Sequence, residues 1–309
     1  MTPHHLLITE QAISELAQRL SDVMQTRYVP YSDLRLTDLA WADAWCGIRP
    51  PITPAASNIR WIHAATDGID QFHEMREDII ETKTLLTHTV GSMPHRIAEF
   101  VVAAVLSHVR GFEQFRKNQD NQLWEPSGTQ SAMGMTALIV GTGNVGSAIA
   151  RLLRPFVKEV NGLSRTGSDN DAFDCVRAMA DPGDIVRKAD IVVVALPNTP
   201  QTLSVINTEF FADMSHGIFV NVGRGVTVDH EALRVALDSA QVDHALLDVC
   251  DVEPLPAGDW RWTHPRVTIF PHSSGITSMA DIEGEFRAAY AALSQGKCPD
   301  NAIDLQVWY

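Results

Sequence analysis

Short apolar runs alternate with helix-like patterns over the first 95 residues. An amphipathic repeat at 8–20 is typical of a helix that packs on a sheet. The apolar runs predict five strands, at 5–9, 27–31, 43–48, 60–65 and 84–90. We therefore expect this part of the chain to form a small α/β unit with a sheet of its own.

A second series of apolar runs begins at residue 136 and is more regular. Helical segments separate most of these runs, which are apolar throughout and do not alternate with polar residues. Such runs are typical of parallel strands that helices cover on both faces. The predicted strands are 136–140, 160–164, 190–196, 217–222, 244–249 and 266–270. A doubly wound parallel sheet accounts for this pattern.

Three further segments connect or follow the two series. Pro94 suits the first turn of a helix, and the apolar pattern predicts that this helix continues to residue 115. Residues 116–134 are polar and rich in turn formers, which predicts an arm or loop. The pattern at 279–296 predicts a last helix, which we expect to cross back and pack on the first unit.

Composition and charge narrow the classes of partner. The chain has 309 residues, which favours two domains. Its formal charge of −14 and pI near 5.2 argue against nucleic acid and anionic membranes, because such a field repels phosphate. The four cysteines are scattered, so we expect thiols and no metal site. No signal-peptide pattern and no apolar run of roughly 20 residues is seen, so we expect a soluble cytoplasmic protein.

The stretch GTGNVG, which begins at Gly141, lies between a predicted strand and a predicted helix. In a dinucleotide-binding turn, Gly141 permits the tight turn, Gly143 lets the backbone approach a pyrophosphate, and Gly146 lets the helix lie close to the strand. The start of that helix, at Asn144 and Val145, favours the anion. This context predicts nucleotide binding, and a purely structural turn is the alternative.

The residues after the next predicted strand indicate which nucleotide binds. A site for NAD usually has a carboxylate about 20 residues beyond the first glycine, where it holds the ribose hydroxyls. Ser164 and Arg165 stand at this place. Ser164 avoids repelling a 2′-phosphate, Arg165 can form charge-assisted bonds to it, and Thr166 could add a hydroxyl donor. We expect NADP(H) in preference to NAD(H), with a solvated surface arginine as the alternative reading.

Three polar residues follow directly after apolar runs of the second series: Arg224, Glu253 and His272. Ligands of open α/β sheets bind outside the carboxyl ends of the strands, so the three could converge on one crevice. Arg224 could bind the carboxylate of a 2-oxo acid, and His272 could protonate its carbonyl oxygen as hydride reaches the carbon. Glu253 could orient the ring of His272 and favour its acid form. Taken singly, a histidine after a strand is more often structural.

Together these motifs resemble the D-isomer-specific 2-hydroxyacid dehydrogenase family. The matching stretches are GTGNVGSAIA, ALPNTPQT, NVGRG, LDVCDVEPLP and TIFPH. The resemblance is nearest to the glyoxylate/hydroxypyruvate reductase branch, which shares LPNTP, the Ser-Arg pair after the second strand and a final Tyr.

The resemblance implies two α/β domains with the active site in the cleft between them. One would be a Rossmann-type doubly wound nucleotide domain at 96–275. The other would be a smaller flavodoxin-like substrate domain built from both chain ends, at 1–95 and 276–309. The family also forms dimers through its nucleotide domains, which implies a homodimer to which the arm at 116–134 contributes.

The family further implies roles for individual residues. Its Arg–Glu–His set corresponds to Arg224, Glu253 and His272. Cofactor contacts are implied for Leu196, Pro197, Val222 and Asp248. The loop that holds the substrate carboxylate through backbone N–H groups corresponds to Ala65, Thr66, Asp67 and Gly68. The family's loop is rich in glycine, whereas here Asp67 adds a negative charge that opposes an acidic substrate.

These expectations describe an enzyme that reduces a small 2-oxo acid to the D-2-hydroxy acid with NADPH. A nucleotide-sensing scaffold or co-regulator with the same fold is the alternative, although the complete Arg–Glu–His set gives it no support. A dehydrogenase for a phosphorylated acid is a third possibility, and no additional basic cluster is seen for a substrate phosphate. The sequence leaves the substrate side chain and the physiological direction open.

Overall fold

The computed structural model describes residues 2–50, 56–126 and 128–305. The chain divides into two compact units, one formed by Met1–Met93 with Thr277–Tyr309 and the other by Pro94–Ile276. The strands are β1 (His5–Ile8), β2 (Gln25–Tyr28), β3 (Ala44–Gly47), β4 (Trp61–Ala64), β5 (Leu85–His88), β6 (Thr136–Val140), β7 (Glu159–Ser164), β8 (Cys175–Ala178), β9 (Ile191–Val194), β10 (Ile218–Asn221), β11 (His244–Leu247) and β12 (Val267–Ile269). The α-helices are α1 (Leu16–Arg19), α2 (Leu36–Trp41), α3 (Arg76–Thr82), α4 (Met93–Val109), α5 (Phe112–Asp120), α6 (Asn144–Leu153), α7 (Thr208–Asp213), α8 (His230–Asp238) and α9 (Met279–Ser294).

The first unit contains a parallel sheet in the order β2-β1-β3-β4-β5, which is flavodoxin-like. Alternate residues of its strands enter two apolar layers, so that Leu7 and Ile62 lie in one layer and Leu6 and Trp61 in the other. Helix α9 contributes Phe286 to the second layer, where its ring stacks on Trp61 at 4.4 Å. The last helix therefore packs on the sheet of the first unit.

The second unit contains a parallel sheet in the order β12-β11-β10-β9-β6-β7-β8. The chain starts in the middle at β6, builds outward to β8, and then returns to β9 on the other side. Every residue of β6, β9, β10 and β11 is buried, as the continuous apolar runs require when helices cover both faces. The predicted doubly wound sheet is confirmed.

The helix predicted from Pro94 to residue 115 is instead two helices, α4 and α5. Gly111 separates them with a φ of +67°, a left-handed conformation that glycine adopts without strain. Helix α5 then continues to Asp120, into the segment predicted as an arm. Its polar residues form ion pairs one turn apart, such as Lys117 with Glu113 at 2.6 Å.

Two further elements differ from the sequence prediction. The helix predicted at 8–20 is reduced to one 3-10 turn at Gln11–Ile13 and the short helix α1. Glu10 remains extended, and its carboxylate accepts the amides of Ile48 and Arg49, which holds it out of a helix. Strand β8 was not predicted, because this edge strand is only partly buried and lacks a continuous apolar run.

Candidate active site at the strand ends

The glycine turn joins β6 to α6 as a dinucleotide-binding turn requires. Gly141 has a φ of +103°, and a Cβ there would lie 2.6 Å from the carbonyl oxygen of Ala195. A Cβ at Gly146 would overlap the carbonyl oxygen of Gly141, so only glycine lets the helix approach the strand this closely. A Cβ at Gly143, in contrast, would meet no protein atom within 4 Å.

That open space at Gly143 fits a bound phosphate. Gly143 is the N-cap of α6 and has no side chain to cap the helix, and Asn144 beside it is exposed. The first N–H groups of a helix favour an anion. Asn144 and Val145 are the first two residues of this helix, and the residues present fit a dinucleotide.

Asn170 stabilises this turn and was not identified from the sequence. Its side-chain amide donates to the carbonyl oxygen of Thr142 and lies within hydrogen-bonding distance of the Ser147 hydroxyl, both at 3.0 Å. The Ser147 hydroxyl also donates to Thr142, at 3.1 Å. Thr142 lies between the first two glycines, so these bonds fix the turn from the β7 side. A lone asparagine in a polar loop gives no sequence signal for this role.

The Ser-Arg pair lies at the carboxyl end of β7. Ser164 is the last residue of the strand, and its hydroxyl accepts the amide of Gly167 at 3.0 Å, which closes a turn around Arg165 and Thr166. Both of these side chains are exposed. Gly167 has a φ of +71°, and a Cβ there would lie 2.7 Å from the Ala178 amide nitrogen. Beyond the strand, the turn thus carries the guanidinium of Arg165 and the hydroxyls of Ser164 and Thr166.

The residues after β9 and β10 pack against each other. Leu196 and Pro197 follow β9, and Val222 follows β10 with its amide bonded to the carbonyl of Val194 at 3.0 Å. A Cβ at Gly223 would lie 2.5 Å from the Leu196 carbonyl oxygen. This close packing places both segments at the same edge of the sheet as the glycine turn.

Arg224 follows this segment and is half-buried. Its Nη1 donates to the carbonyl of Gly223 at 2.9 Å, and its own carbonyl accepts from the Thr227 hydroxyl at 2.7 Å. A Cβ at the next residue, Gly225, would overlap the carbonyl group of Cys250. The loop that carries Arg224 therefore packs directly on the loop that carries Glu253.

The side chains of Glu253 and His272 lie within hydrogen-bonding distance of each other. Oε2 of Glu253 lies 2.7 Å from Nδ1 of His272, and Oε1 accepts the Cys250 amide at 2.9 Å. Half of the His272 side chain is exposed. With Nδ1 bonded to the carboxylate, Nε2 is the ring atom that can exchange a proton with a ligand.

Asp248 holds the segment that carries His272. The residue is 2% exposed, and its carboxylate accepts the amides of Ser273 at 2.8 Å and Ser274 at 3.1 Å. Its backbone carbonyl accepts the amide of His272 at 2.9 Å. His272 has a φ of +51°, a conformation that is uncommon outside glycine and is often found at functional sites. This second role of Asp248 was not evident from the sequence.

Because all strands of the second sheet are parallel, these segments share one edge. The edge carries the glycine turn, the Ser164–Thr166 turn, and the Arg224, Glu253 and His272 segments. It combines an anion-binding helix start with a guanidinium and a carboxylate–imidazole pair. Such a set can bind a dinucleotide and transfer a proton to a bound oxyanion or carbonyl.

The predicted substrate loop lies in the first unit, after β4. The carbonyl of Thr66 accepts the Thr89 amide at 3.2 Å, and the carbonyl of Asp67 lies 2.9 Å from Nδ1 of His88. In a trans peptide the N–H points opposite to the carbonyl, so the amides of Asp67 and Gly68 point away from β5. The Ala65 amide, in contrast, donates to the carbonyl of Gly47 at 2.9 Å.

All four cysteines are free thiols. Within the described ranges, no three His, Cys, Asp or Glu side chains group as metal ligands would. Among the helices of those same ranges, none combines the length and apolar character that crossing a membrane demands.

Comparisons with known proteins identify the family. Residues 102–274, more than half of the chain, match the model of the D-isomer specific 2-hydroxyacid dehydrogenase, NAD binding domain. The chain belongs to this family. It is accordingly an oxidoreductase with an NAD(P)-binding domain.

Relatives of the dehydrogenase match along nearly the whole chain. Glyoxylate/hydroxypyruvate reductase A of Serratia proteamaculans is 28% identical over 313 residues, which cover 99% of this chain and 98% of the relative. The structure of a D-isomer specific 2-hydroxyacid dehydrogenase family protein from Aeromonas salmonicida is 28% identical with a TM-score of 0.88, covering 98% and 99%. The NADPH-dependent glyoxylate/hydroxypyruvate reductase of Sinorhizobium meliloti, in complex with NADP and sulfate, has the same fold, with a TM-score of 0.86 at 21% identity covering 99% and 100%. The predicted likeness to the glyoxylate/hydroxypyruvate reductase branch is confirmed.

Proposed function

We propose that this dehydrogenase reduces a small 2-oxo acid to the D-2-hydroxy acid, with NADPH as the hydride donor and His272 as the proton donor. The observation that carries the proposal is the 2.7 Å contact between Glu253 and His272 at the strand edge that also bears the glycine turn. A carboxylate beside an imidazole stabilises its protonated form. The ring can then hold a proton on Nε2 until a carbonyl oxygen receives it.

The proposed reaction leaves the two contacts of the Glu253 carboxylate in place. When bound, the nicotinamide supplies hydride to the carbonyl carbon of the substrate. The Nε2 proton of His272 passes to the carbonyl oxygen, which becomes the hydroxyl of the product. Nδ1–H stays bonded to Glu253, whose other oxygen remains on the Cys250 amide. The ring therefore keeps its orientation in both protonation states.

Arg224 is the proposed partner of the substrate carboxylate and of the developing charge on the carbonyl oxygen. A guanidinium offers a planar set of donors that matches a carboxylate. The bond from Nη1 to the Gly223 carbonyl restricts how the side chain can turn. An electrostatic group that is already oriented stabilises the transition state without a reorganisation cost.

The loop after β4 is proposed to hold the substrate carboxylate through its backbone amides. The directions of the Asp67 and Gly68 amides support this role, whereas the bond from Ala65 to Gly47 argues for a smaller set than the sequence suggested. The negative charge of Asp67, whose Oδ1 lies 3.5 Å from Nδ1 of His88, still opposes an acidic substrate.

The preference for NADP(H) over NAD(H) is proposed from the turn after β7. Ser164 occupies the place where a site for NAD has a carboxylate, so this position offers no carboxylate to a free 2′-hydroxyl. The Ser164 hydroxyl instead accepts the Gly167 amide and closes the turn. Exposed Arg165 and Thr166 lie next to it and could bind a 2′-phosphate. Contacts of Leu196, Pro197 and Val222 with the nicotinamide end are part of the same proposal.

Initial rates of NADPH and NADH oxidation test the proposal, each with glyoxylate, hydroxypyruvate, phenylpyruvate and 2-oxoisocaproate. We expect turnover with at least one acid, faster with NADPH, and a D-configured product from phenylpyruvate by chiral chromatography. No turnover with any pair, together with tight NADPH binding by fluorescence, would instead support a nucleotide-sensing scaffold.

We also propose that the enzyme is a homodimer formed through the segment around 112–133. Several large apolar side chains of this segment are exposed: Phe112, Leu123, Trp124 and Met133, with Trp124 at 99%. Contiguous exposed apolar patches mark protein interfaces, and we propose that these four side chains form such a patch. Light scattering should give twice the chain mass, and Trp124→Ser should shift the protein toward monomer.

A further inference from the structure

A buried arginine lies beneath the proposed active site. Arg261 follows β11 in the segment that leads to β12, and only 4% of its surface is exposed. Its Nε and Nη2 donate to the two carboxylate oxygens of Asp259, at 2.8 and 2.9 Å. Its Nη1 donates to Asp251 at 2.7 Å and lies 3.1 Å from Nδ1 of His230. Four charged or titratable side chains thus form one connected group.

The positive charge of Arg261 lies between the negative charges of Asp259 and Asp251. The bonds from Arg261 hold the pKa of Asp259 at about 2. Burial acts to raise the pKa of Asp251, but Arg261 and His230 outweigh it and the pKa is lowered. Burial, and then the charge of Arg261, lowers the pKa of His230. His230 is accordingly neutral, accepting from Arg261 on Nδ1 and donating from Nε2 to the Gly225 carbonyl at 3.1 Å.

This group supports both loops that carry the proposed catalytic residues. His230 bonds to Gly225, the neighbour of Arg224. Asp251 lies two residues before Glu253, and Gly225 packs on the Cys250–Asp251 peptide with no room for a Cβ. The position of Arg224 relative to Glu253 therefore depends on a shared support, in which Arg261 contacts Asp251 and His230 at once.

We propose that Arg261 is a positioning residue of the dehydrogenase. Through His230 and Asp251, it fixes the position of the Arg224 loop relative to the Glu253 loop. It is too buried to bind a ligand itself. The inference rests on the proposed roles of Arg224, Glu253 and His272. A displacement of about 1 Å at such groups can lower a rate by about a hundredfold.

The test compares Arg261→Leu with Arg266→Leu, using the substrate and NADPH pair that the wild-type enzyme turns over best. Arg266 is a matched control, because it is a half-buried arginine of the same segment whose Nη1 donates to the Leu237 carbonyl at 3.0 Å. We expect Arg261→Leu to lower kcat by about ten- to a hundredfold, with the Kd for NADPH unchanged. The KM for the 2-oxo acid should rise as well, because the same change displaces Arg224, the proposed partner of the substrate carboxylate. Arg266→Leu should change neither quantity.

Asp251→Asn provides a second variant that spares folding, because Asp251 is 40% exposed and the amide oxygen can still accept from Arg261. It should show a smaller loss of kcat, again with a higher KM for the 2-oxo acid. A wild-type kcat and KM in folded Arg261→Leu, or in Asp251→Asn if Arg261→Leu does not fold, would overturn the positioning role. The proposed function would stand in that case, whereas it fails if the wild-type enzyme reduces no 2-oxo acid.

Discussion

Glu253 and His272 lie 19 residues apart in the chain, and a 2.7 Å contact joins Oε2 of the carboxylate to Nδ1 of the ring. The second carboxylate oxygen accepts the Cys250 amide, so both oxygens of the carboxylate are held by hydrogen bonds. The contact defines which ring nitrogen faces a ligand and gives the imidazolium a counter-charge. It is the geometric basis for our proposal that His272 is the proton donor.

Removing the ring should greatly slow reduction without preventing cofactor binding. General acid catalysis contributes about 10²- to 10⁴-fold to a rate, so His272→Ala should lose about that much in kcat. The Kd for NADPH, measured by fluorescence, should stay within about twofold of the wild-type value, since the ring lies outside the glycine turn. Turnover equal to wild type would exclude His272 as the proton donor.

The carboxylate of Asp248 should matter for both stability and rate. In Asp248→Asn, an amide N–H₂ group must face the Ser273 or Ser274 amide, so a charge-assisted bond worth about 1.5–3 kcal/mol is lost. The His272 segment loosens and kcat falls. Asp243→Asn is the matched control, because Asp243 flanks the other end of β11 and also accepts an amide, that of Gly217 at 3.0 Å. Urea unfolding measures the stability of each variant, and initial rates measure kcat. We expect kcat to fall in Asp248→Asn alone.

The glycines of the turn should separate cofactor binding from folding. Gly143→Ala adds a methyl group to open space at a φ of −73°, so the free energy of unfolding should not change. NADPH binding should weaken at least about tenfold, because the methyl group occupies the place of the pyrophosphate. Gly146→Ala should instead destabilise the protein, since its Cβ overlaps the Gly141 carbonyl oxygen. Unchanged NADPH affinity in Gly143→Ala would show that no phosphate approaches this residue.

The cofactor preference should depend on the turn after β7. Arg165→Ala should weaken NADPH about ten- to a hundredfold more than NADH, as expected for the loss of a charge-assisted bond of about 1.5–3 kcal/mol. Ser164→Asp should strengthen NADH, because a carboxylate can accept the ribose hydroxyl. Exposed Arg151 of α6, which pairs with Asp171, serves as the control, and Arg151→Ala should leave the ratio unchanged. An equal effect of Arg165→Ala on both cofactors would make Arg165 an ordinary surface residue.

Stability should fall as the pH is lowered from about 6.5 toward 4. Burial, with a smaller effect of nearby histidines, lowers the pKa of His63 to about 3 and that of His244 to about 4. In the unfolded chain both titrate near about 6.5, so it binds more protons than the folded chain across this range. Each group then contributes a slope of up to about 1.4 kcal/mol per pH unit.

Urea unfolding at pH 7 and pH 5 measures this slope. His244→Gln should reduce it, since the amide can still bond to the Thr268 hydroxyl but does not titrate. His216→Gln, at a side chain that is 75% exposed, should leave the slope as it is. A slope that His244→Gln leaves intact would mean that other groups account for the loss of stability.

The sequence by itself determined the features that consecutive residues encode. Continuous apolar runs predict parallel strands because both faces of such strands are buried, and the spacing of Gly141, Gly143 and Gly146 is fixed by one turn and one helix start. The strand-end positions of Arg224, Glu253 and His272 follow from the same runs. Even here local signals had limits, since the break at Gly111 and the edge strand β8 were missed.

Only the tertiary structure decided which distant side chains meet. Asp248 holds amides 25 and 26 residues further along the chain, Asn170 reaches back 28 residues to Thr142, and Arg261 reaches back 31 residues to His230. No periodicity encodes such contacts, because each depends on where separate strands and loops come to lie in the folded sheet. Polar residues of this kind resemble ordinary loop residues in the sequence, and burial makes their hydrogen bonds obligatory only after folding.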